Sequence, residues 1–215
     1  GKKITLAEYV ERMPEEQKEI YYMTGPDRAT AESSPYLEVF KEKGVEVLLM
    51  TDDIDDLIIS SLGTYQEKEL QSAVKGDLDL GDNDKKEEQQ KEYSDLLALM
   101  KEQLKDVVAE VRVSGRLKDS AVCLVAGQHD LDPQMEKMFR AMGQNVPQGQ
   151  RSLEVNPGHP LITKMQALFT ADAKNDRLRE YVDLLYDQAL LLEGDRPRDP
   201  VAFAKAMSQL MAEGA

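Results

Sequence analysis

The chain of 215 residues contains no tryptophan, one cysteine and two histidines, and only 6% of it is aromatic. With Cys123 alone, a disulfide within the chain is excluded, which fits a reducing compartment. Cys123 lies in the apolar run Ala121-Val122-Cys123-Leu124-Val125, where a buried structural thiol is expected. His129 and His159 have no second histidine or cysteine at ligand spacing, so a zinc site is not expected. Basic residues are also scarce, 27 Lys and Arg against 41 Asp and Glu, a net charge of −14. Phosphate backbones and anionic bilayers would repel such a chain, which argues against nucleic-acid and membrane partners. Apolar runs approaching the roughly 20 residues of a membrane span are missing. So are glycine-rich phosphate loops and a G-x-S-x-G nucleophile elbow. The start, Gly1-Lys2-Lys3-Ile4-Thr5, does not lead into a signal-peptide apolar region, and a first residue other than Met suggests that further chain precedes it.

What is present is charge, 32% of residues, and helical periodicity. We expect an α+β protein: a small α/β (βαβ) subdomain, then a mixed domain with a three-stranded sheet and a C-terminal helical bundle. Residues 1–76 form the first part. Leu6, Tyr9, Val10 and Met13 recur at helical spacing before Pro14. Ile20 to Met23 is β-prone. A helix over residues 29–43 contains Ser34-Pro35, where it can break, and Gly44 suits its C-cap. Residues 45–50 read as a strand buried on both faces, parallel to the first, and a third helix covers residues 53–62. Residues 77–87 are almost all charge, amide and glycine and read as a linker, flexible or partly helical. Asp77, Asp79 and Glu88 fall at the first, third and twelfth places of a calcium loop. The pattern fails at Gly81, which replaces a ligand, and at Asp82, where glycine is needed.

Residues 88–215 form the second domain, in the order α-β-β-α-β-α-α-α. Strands are expected at residues 107–117, 121–126 and around Leu153 and Val155. Asp132-Pro133 opens a helix with an N-cap acid and proline at the first position, and Gly143 ends it.

Two apolar patterns carry functional alternatives. Leu178, Val182, Leu185, Ala189 and Leu192 follow 4-3-4-3 spacing, with Tyr181, Leu184, Gln188 and Leu191 in a stripe beside them. Phe203, Ala204, Met207, Leu210 and Met211 offer a facing surface on the last helix. These stripes serve either as intrachain core or as one half of a four-helix bundle between two copies. Met135, Met138, Phe139 and Met142, with Leu131 just before them, line one helix face. That face is either ordinary core or an adaptable surface for unfolded chains.

The chain resembles the heat shock protein 90 family of molecular chaperones, bacterial type. Leu6-x-x-Tyr9-Val10-x-Arg12-Met13, Ser34-Pro35-x-Leu37-Glu38, Lys43-Gly44-Val45-Glu46-Val47-Leu48 and Asp53-x-Asp55-Asp56 are similar to the end of its middle domain. Arg116-Leu117, Leu153-Glu154-Val155-Asn156-Pro157-x-His159-Pro160 and Leu184-Leu185-Tyr186-Asp187-Gln188-Ala189 are similar to its C-terminal domain. The resemblance implies the homodimerising, client-binding part of an ATP-dependent stress-response chaperone that assists protein folding. It implies no enzyme and no cofactor in this part, with ATP and magnesium bound elsewhere in the full-length protein. It places the dimer interface on Leu178, Tyr181, Val182, Leu185, Ala189, Leu192, Phe203, Met207 and Leu210. It places client contacts on Asp56, Leu57, Leu131, Met135, Met138, Phe139 and Met142. Relatives can carry tryptophan at the position of Leu57; its absence here removes an aromatic anchor. The ending Leu210-Met211-Ala212-Glu213-Gly214-Ala215 has neither the acidic tail of eukaryotic cytosolic relatives nor a retention signal, which leads to an expected bacterial cytoplasmic location. The alternative function is a structural dimeric adaptor without client binding. A small hydrolase finds no nucleophile–base pair or metal ligands to support it.

Overall fold

The computed structural model describes residues 3–52, 54–78, 80, 83–144 and 149–214. It is a mixed α+β structure that divides into two compact units, residues 1–78 with 126–149, and residues 79–125 with 150–215.

In the first unit, α1 (Leu6–Arg12) begins at a capping box: Thr5 accepts from the Glu8 backbone N–H, and the Glu8 carboxylate accepts from that of Thr5. β1 (Ile20–Thr24) is buried along its whole length because it lies inside a four-stranded sheet, order β2-β1-β4-β3. As expected, proline interrupts the helix that follows. α2 (Arg28–Glu32) stops short of Ser34, a single 3₁₀ turn spans Pro35–Leu37, and α3 (Glu38–Lys43) resumes before Gly44 at φ 66°. β2 (Leu48–Met50) pairs parallel to β1, completing the βαβ unit. It is half-buried rather than buried on both faces, since β2 is the sheet edge.

After α4 (Asp55–Leu62) comes a hairpin that the residues did not advertise, β3 (Thr64–Tyr65) and β4 (Lys68–Ser72). β4 is polar in sequence, yet it pairs parallel to β1 on the side opposite β2. The core packs Tyr9, Ile20, Val39 and Phe40 together with Tyr21, whose ring centroid is 4.8 Å from that of Phe40.

Residues 126–149, which read in sequence as part of the second domain, join this first unit. Ala126 bridges Lys75, the Gly76 N–H donates to the Ala126 carbonyl over 2.9 Å, and the amides of Gln71 and Gln128 bond to each other. Backbone pairing across some fifty residues of chain has no local signature.

In the second unit, α5 (Asn83–Glu92) takes up part of the charged linker, and α6 (Ser94–Gln103) follows it. β5 (Val108–Val113), β6 (Val122–Val125) and, after the stretch that joins the first unit, β7 (Arg151–Val155) form the expected three-stranded sheet. β7 is central, parallel to β5 and antiparallel to β6, with a bulge between Val108 and Glu110. α6, α8 (Pro160–Ala171) and α9 (Asp176–Leu192) pack with the sheet around Leu96, Met100, Leu153, Ile162 and Met165. α10 (Pro200–Gly214) packs against α9.

Candidate interaction surfaces

The methionine-bearing helix α7 (Pro133–Ala141) belongs to the first unit. Its N-cap is Asp132, whose Oδ1 accepts from the Gln134 N–H over 3.0 Å. The same oxygen accepts from the Thr24 hydroxyl at the end of β1, 3.1 Å away, in a buried contact. Pro133 and Glu136 turn inward. Leu131, Met135, Met138 and Phe139 are half-buried, while Met142, at the C-cap, is 67% exposed. Gly143 then leaves the helix at φ 77°. The stripe is therefore partly covered near the helix start and open at its end.

For Asp56 and Leu57, the side chains lie outside the described residues. Around them, however, α4 carries an exposed apolar row that the sequence reading did not single out. Ile54 is 58% and Ile58 52% exposed, with Leu62 also at the surface, while Ile59 turns into the core. The four-residue spacing of Ile54, Ile58 and Leu62 was the available signal.

On α9 the heptad-like seam faces inward. Leu178, Val182, Leu185 and Ala189 are at most 1% exposed and belong to the core of their own unit. Tyr181 is half-buried against that core, and Phe203 and Leu210 on α10 are half-buried. Leu191, Leu192, Val201, Met207 and Met211 remain outside; Val201 is 79% and Met211 64% exposed. Leu191 and Leu192 stand at the end of α9, and Val201, Met207 and Met211 along α10. Leu192 and Met207 are the exposed members of the expected interface. Met211 belongs to the facing surface read from the sequence of the last helix, whereas Val201 was not singled out there.

The turn between α9 and α10 is built on charge. Asp199 caps α10, its Oδ1 accepting from the N–H groups of Val201 and Ala202 at 3.0 Å each. Arg198 reaches back along α9. Its Nε donates to Asp187 Oδ1 over 3.0 Å, and its Nη2 to Asp183 Oδ1 over 2.9 Å and to the Asp183 carbonyl over 3.2 Å. The guanidinium carbon sits 4.8 Å from the centroid of the Tyr186 ring. Partial burial pulls the Arg198 pKa down, but the hydrogen bonds to Asp187 and Asp183 outweigh it, and the net shift is upward. Burial likewise pushes the Tyr186 hydroxyl up, and Arg198 draws it partly back.

An open groove of about 670 Å³ in the first unit is lined by Tyr9, Arg12, Glu46, Leu48, Met50 and Asp52. Arg12 and Glu46 form an ion pair in it at 2.9 Å. His159 serves as the N-cap of α8, its Nδ1 accepting from the Leu161 N–H. Among the described residues there is no cluster of three or more metal-ligating side chains. Asp79, Gly81 and Asp82 of the calcium-like pattern lie outside them. No helix among the described residues is long and apolar enough to cross a membrane.

Comparison with known proteins adds the wider setting. The family model for Hsp90 protein matches residues 1–215. Chaperone protein HtpG of Geobacter sulfurreducens is 48% identical over 218 residues, covering 98% of this chain and 34% of its own length. The proteins of the same name from Mycobacterium avium and Streptomyces coelicolor are each 44% identical, covering 97% and 94% of this chain and 33% of their own lengths. The chain thus spans about a third of the length of the curated relatives it matches.

Proposed function

Because the chain belongs to the Hsp90 family, we propose that it is the homodimerising and client-holding part of an ATP-dependent bacterial chaperone. The observation that carries this reading is the apolar surface of Leu191, Leu192, Val201, Met207 and Met211. A helix pair that leaves these side chains in water gains by covering them, and a second copy of the same pair supplies a matching surface about a two-fold axis. Hydrolysis of ATP with magnesium belongs, in this reading, to the two thirds of the relatives' length that this chain does not match. The working location is the bacterial cytoplasm, consistent with the lone cysteine and the absence of a disulfide.

The client surface in this proposal lies on the first unit, on the open end of α7 and the Ile54, Ile58 and Leu62 row of α4. Methionine adapts to many partner shapes because its side chain is unbranched and polarizable. Unfolded segments of varied sequence are the partners that such a surface suits. The half-burial of Met135, Met138 and Phe139 favours a second reading, a dimeric adaptor that holds no clients.

Light scattering across a dilution series tests the dimer. One chain is 24.2 kDa, and twice that mass at submicromolar concentration is expected. A monomer at every concentration defeats the proposal. Suppression of aggregation of a denatured test protein separates the two readings. The chaperone part slows aggregation and loses that effect in Ile58→Ser/Met142→Ser. An adaptor shows no effect with either chain.

A further inference from the structure

We propose that Arg198 is the positioning residue of the α9–α10 surface: it sets the direction in which α10 leaves α9, and so whether the exposed apolar side chains of the two helices form one continuous face. The inference rests on the dimer reading above and adds its control point.

α10 has little else to orient it. Most of its length is exposed, and among its described residues only Phe203, Ala206 and Leu210 are half-buried. At its far end Arg177 meets Glu213 at 3.0 Å, but both side chains are about half exposed, and such surface pairs hold weakly. At its near end the connection is of another kind. Asp183 and Asp187 stand one helical turn apart on α9, and Arg198 spans both. Its backbone N–H also donates to Asp187 Oδ1 over 3.1 Å, so main chain and side chain are fixed by the same carboxylate. Asp187 is buried, and the Tyr186 ring limits where the guanidinium can lie. A planar fork with several donors fixes an angle as well as a distance, which an ammonium group does not.

The residue immediately after this fork is the α10 cap, Asp199. Rotation of the peptide at 198–199 would therefore swing the whole of α10 as a rigid rod. Over the 15 residues of α10, at about 1.5 Å each, a tilt of about 15° moves the far end by roughly 6 Å. That is about one side-chain width, enough to part Met211 from a partner surface while leaving the core of α9 intact. Arg198 itself need not touch the second copy.

The test measures dimer dissociation constant and thermal midpoint on the 215-residue chain. Arg198→Ala is expected to raise the dissociation constant at least tenfold, with helical content kept. Arg198→Lys, which keeps the charge and loses the fork, is expected to lie between wild type and Arg198→Ala. Asp187→Asn should weaken the dimer as well, and adding it to Arg198→Ala should cost little more, because both act through one contact. A dimer whose dissociation constant is unchanged in Arg198→Ala overturns the positioning role and leaves the dimer reading standing. If Arg198→Ala fails to fold, the lysine variant decides: a wild-type dissociation constant there overturns the role. A wild-type chain that never dimerises overturns the dimer reading and this role together. Met207→Asp, which changes the face and not the fork, serves as the reference for loss of the interface.

Discussion

Arg116 donates from Nε to Oε2 of Glu154 over 2.9 Å, and each side chain is 1% exposed. The other carboxylate oxygen accepts from Arg112 over 3.0 Å, and Ser114 donates to Oε2 over 2.8 Å. Glu154 lies on the central strand of the second unit and holds three groups that follow β5 or end it. Removing one partner of a buried pair leaves the other charged and dry. Glu154→Ala is therefore expected to destabilise the second unit by about 3–5 kcal/mol. Arg116→Met/Glu154→Leu should recover much of that loss. Urea unfolding of both variants checks this, and equal stability of the single and double variants would reject it.

Leu185 and Met207 are expected to respond in opposite ways. Leu185 is buried in the core of its unit. Leu185→Ala should cost about 2–5 kcal/mol of folding stability through the cavity it leaves. Met207 is exposed. Met207→Asp should change monomer stability by no more than about 0.5 kcal/mol while costing about 2 kcal/mol of association. Thermal melts and light scattering on both variants separate the two effects. A folded, monomeric Leu185→Asp would contradict the assignment of this residue to core.

The β3–β4 hairpin closes through Gln66 at φ 47° and Glu67 at φ 64°. Two successive positive φ values define the turn type that favours Asn-Gly, and neither residue present suits them. Gln66→Asn/Glu67→Gly should raise unfolding free energy by about 1 kcal/mol. Chemical denaturation reads the change, and a loss of stability would mean that the side chains of Gln66 and Glu67 contribute more than the turn strain costs.

Burial pushes the Tyr9 hydroxyl above its ordinary pKa of 10.0, and hydrogen bonds from Tyr21 and Gln17 only partly offset it. The hydroxyl also donates to the Glu46 carbonyl over 2.6 Å. With the folded value raised, the unfolded chain releases this proton first. The contribution is whole below about pH 10 and is lost as pH rises through the folded value. Tyr9→Phe should cost about 1–3 kcal/mol at neutral pH, since it leaves buried partners unsatisfied. The gap between wild type and variant should narrow above pH 10. A gap constant from pH 7 to 11 would count against a raised value.

Much of the local structure was legible because its causes are local. Pro35 lacks a donor and Gly44 tolerates positive φ, so the helix break and its end could be read from residue type. Asp132 before Pro133 announced α7, and Leu153 and Val155 announced the central strand of the second sheet. β4 escaped because Lys68, Glu69 and Gln71 show no strand pattern; parallel pairing with β1 makes them a strand. The open row on α4 was visible as spacing but not as exposure.

Composition and periodicity by themselves determined the α+β class, the charged break between two apolar regions and the helical register of the α7 and α9 stripes. Those follow from backbone sterics and from side chains within a few positions of each other. Only the tertiary structure decided that residues 126–149 join the first unit, that Leu178, Val182, Leu185 and Ala189 face their own core, and that Leu192, Val201, Met207 and Met211 do not. A 4-3-4-3 spacing says that a helix face must be covered. It cannot say by what, because water is excluded equally well by a sheet of the same chain and by the helix of another.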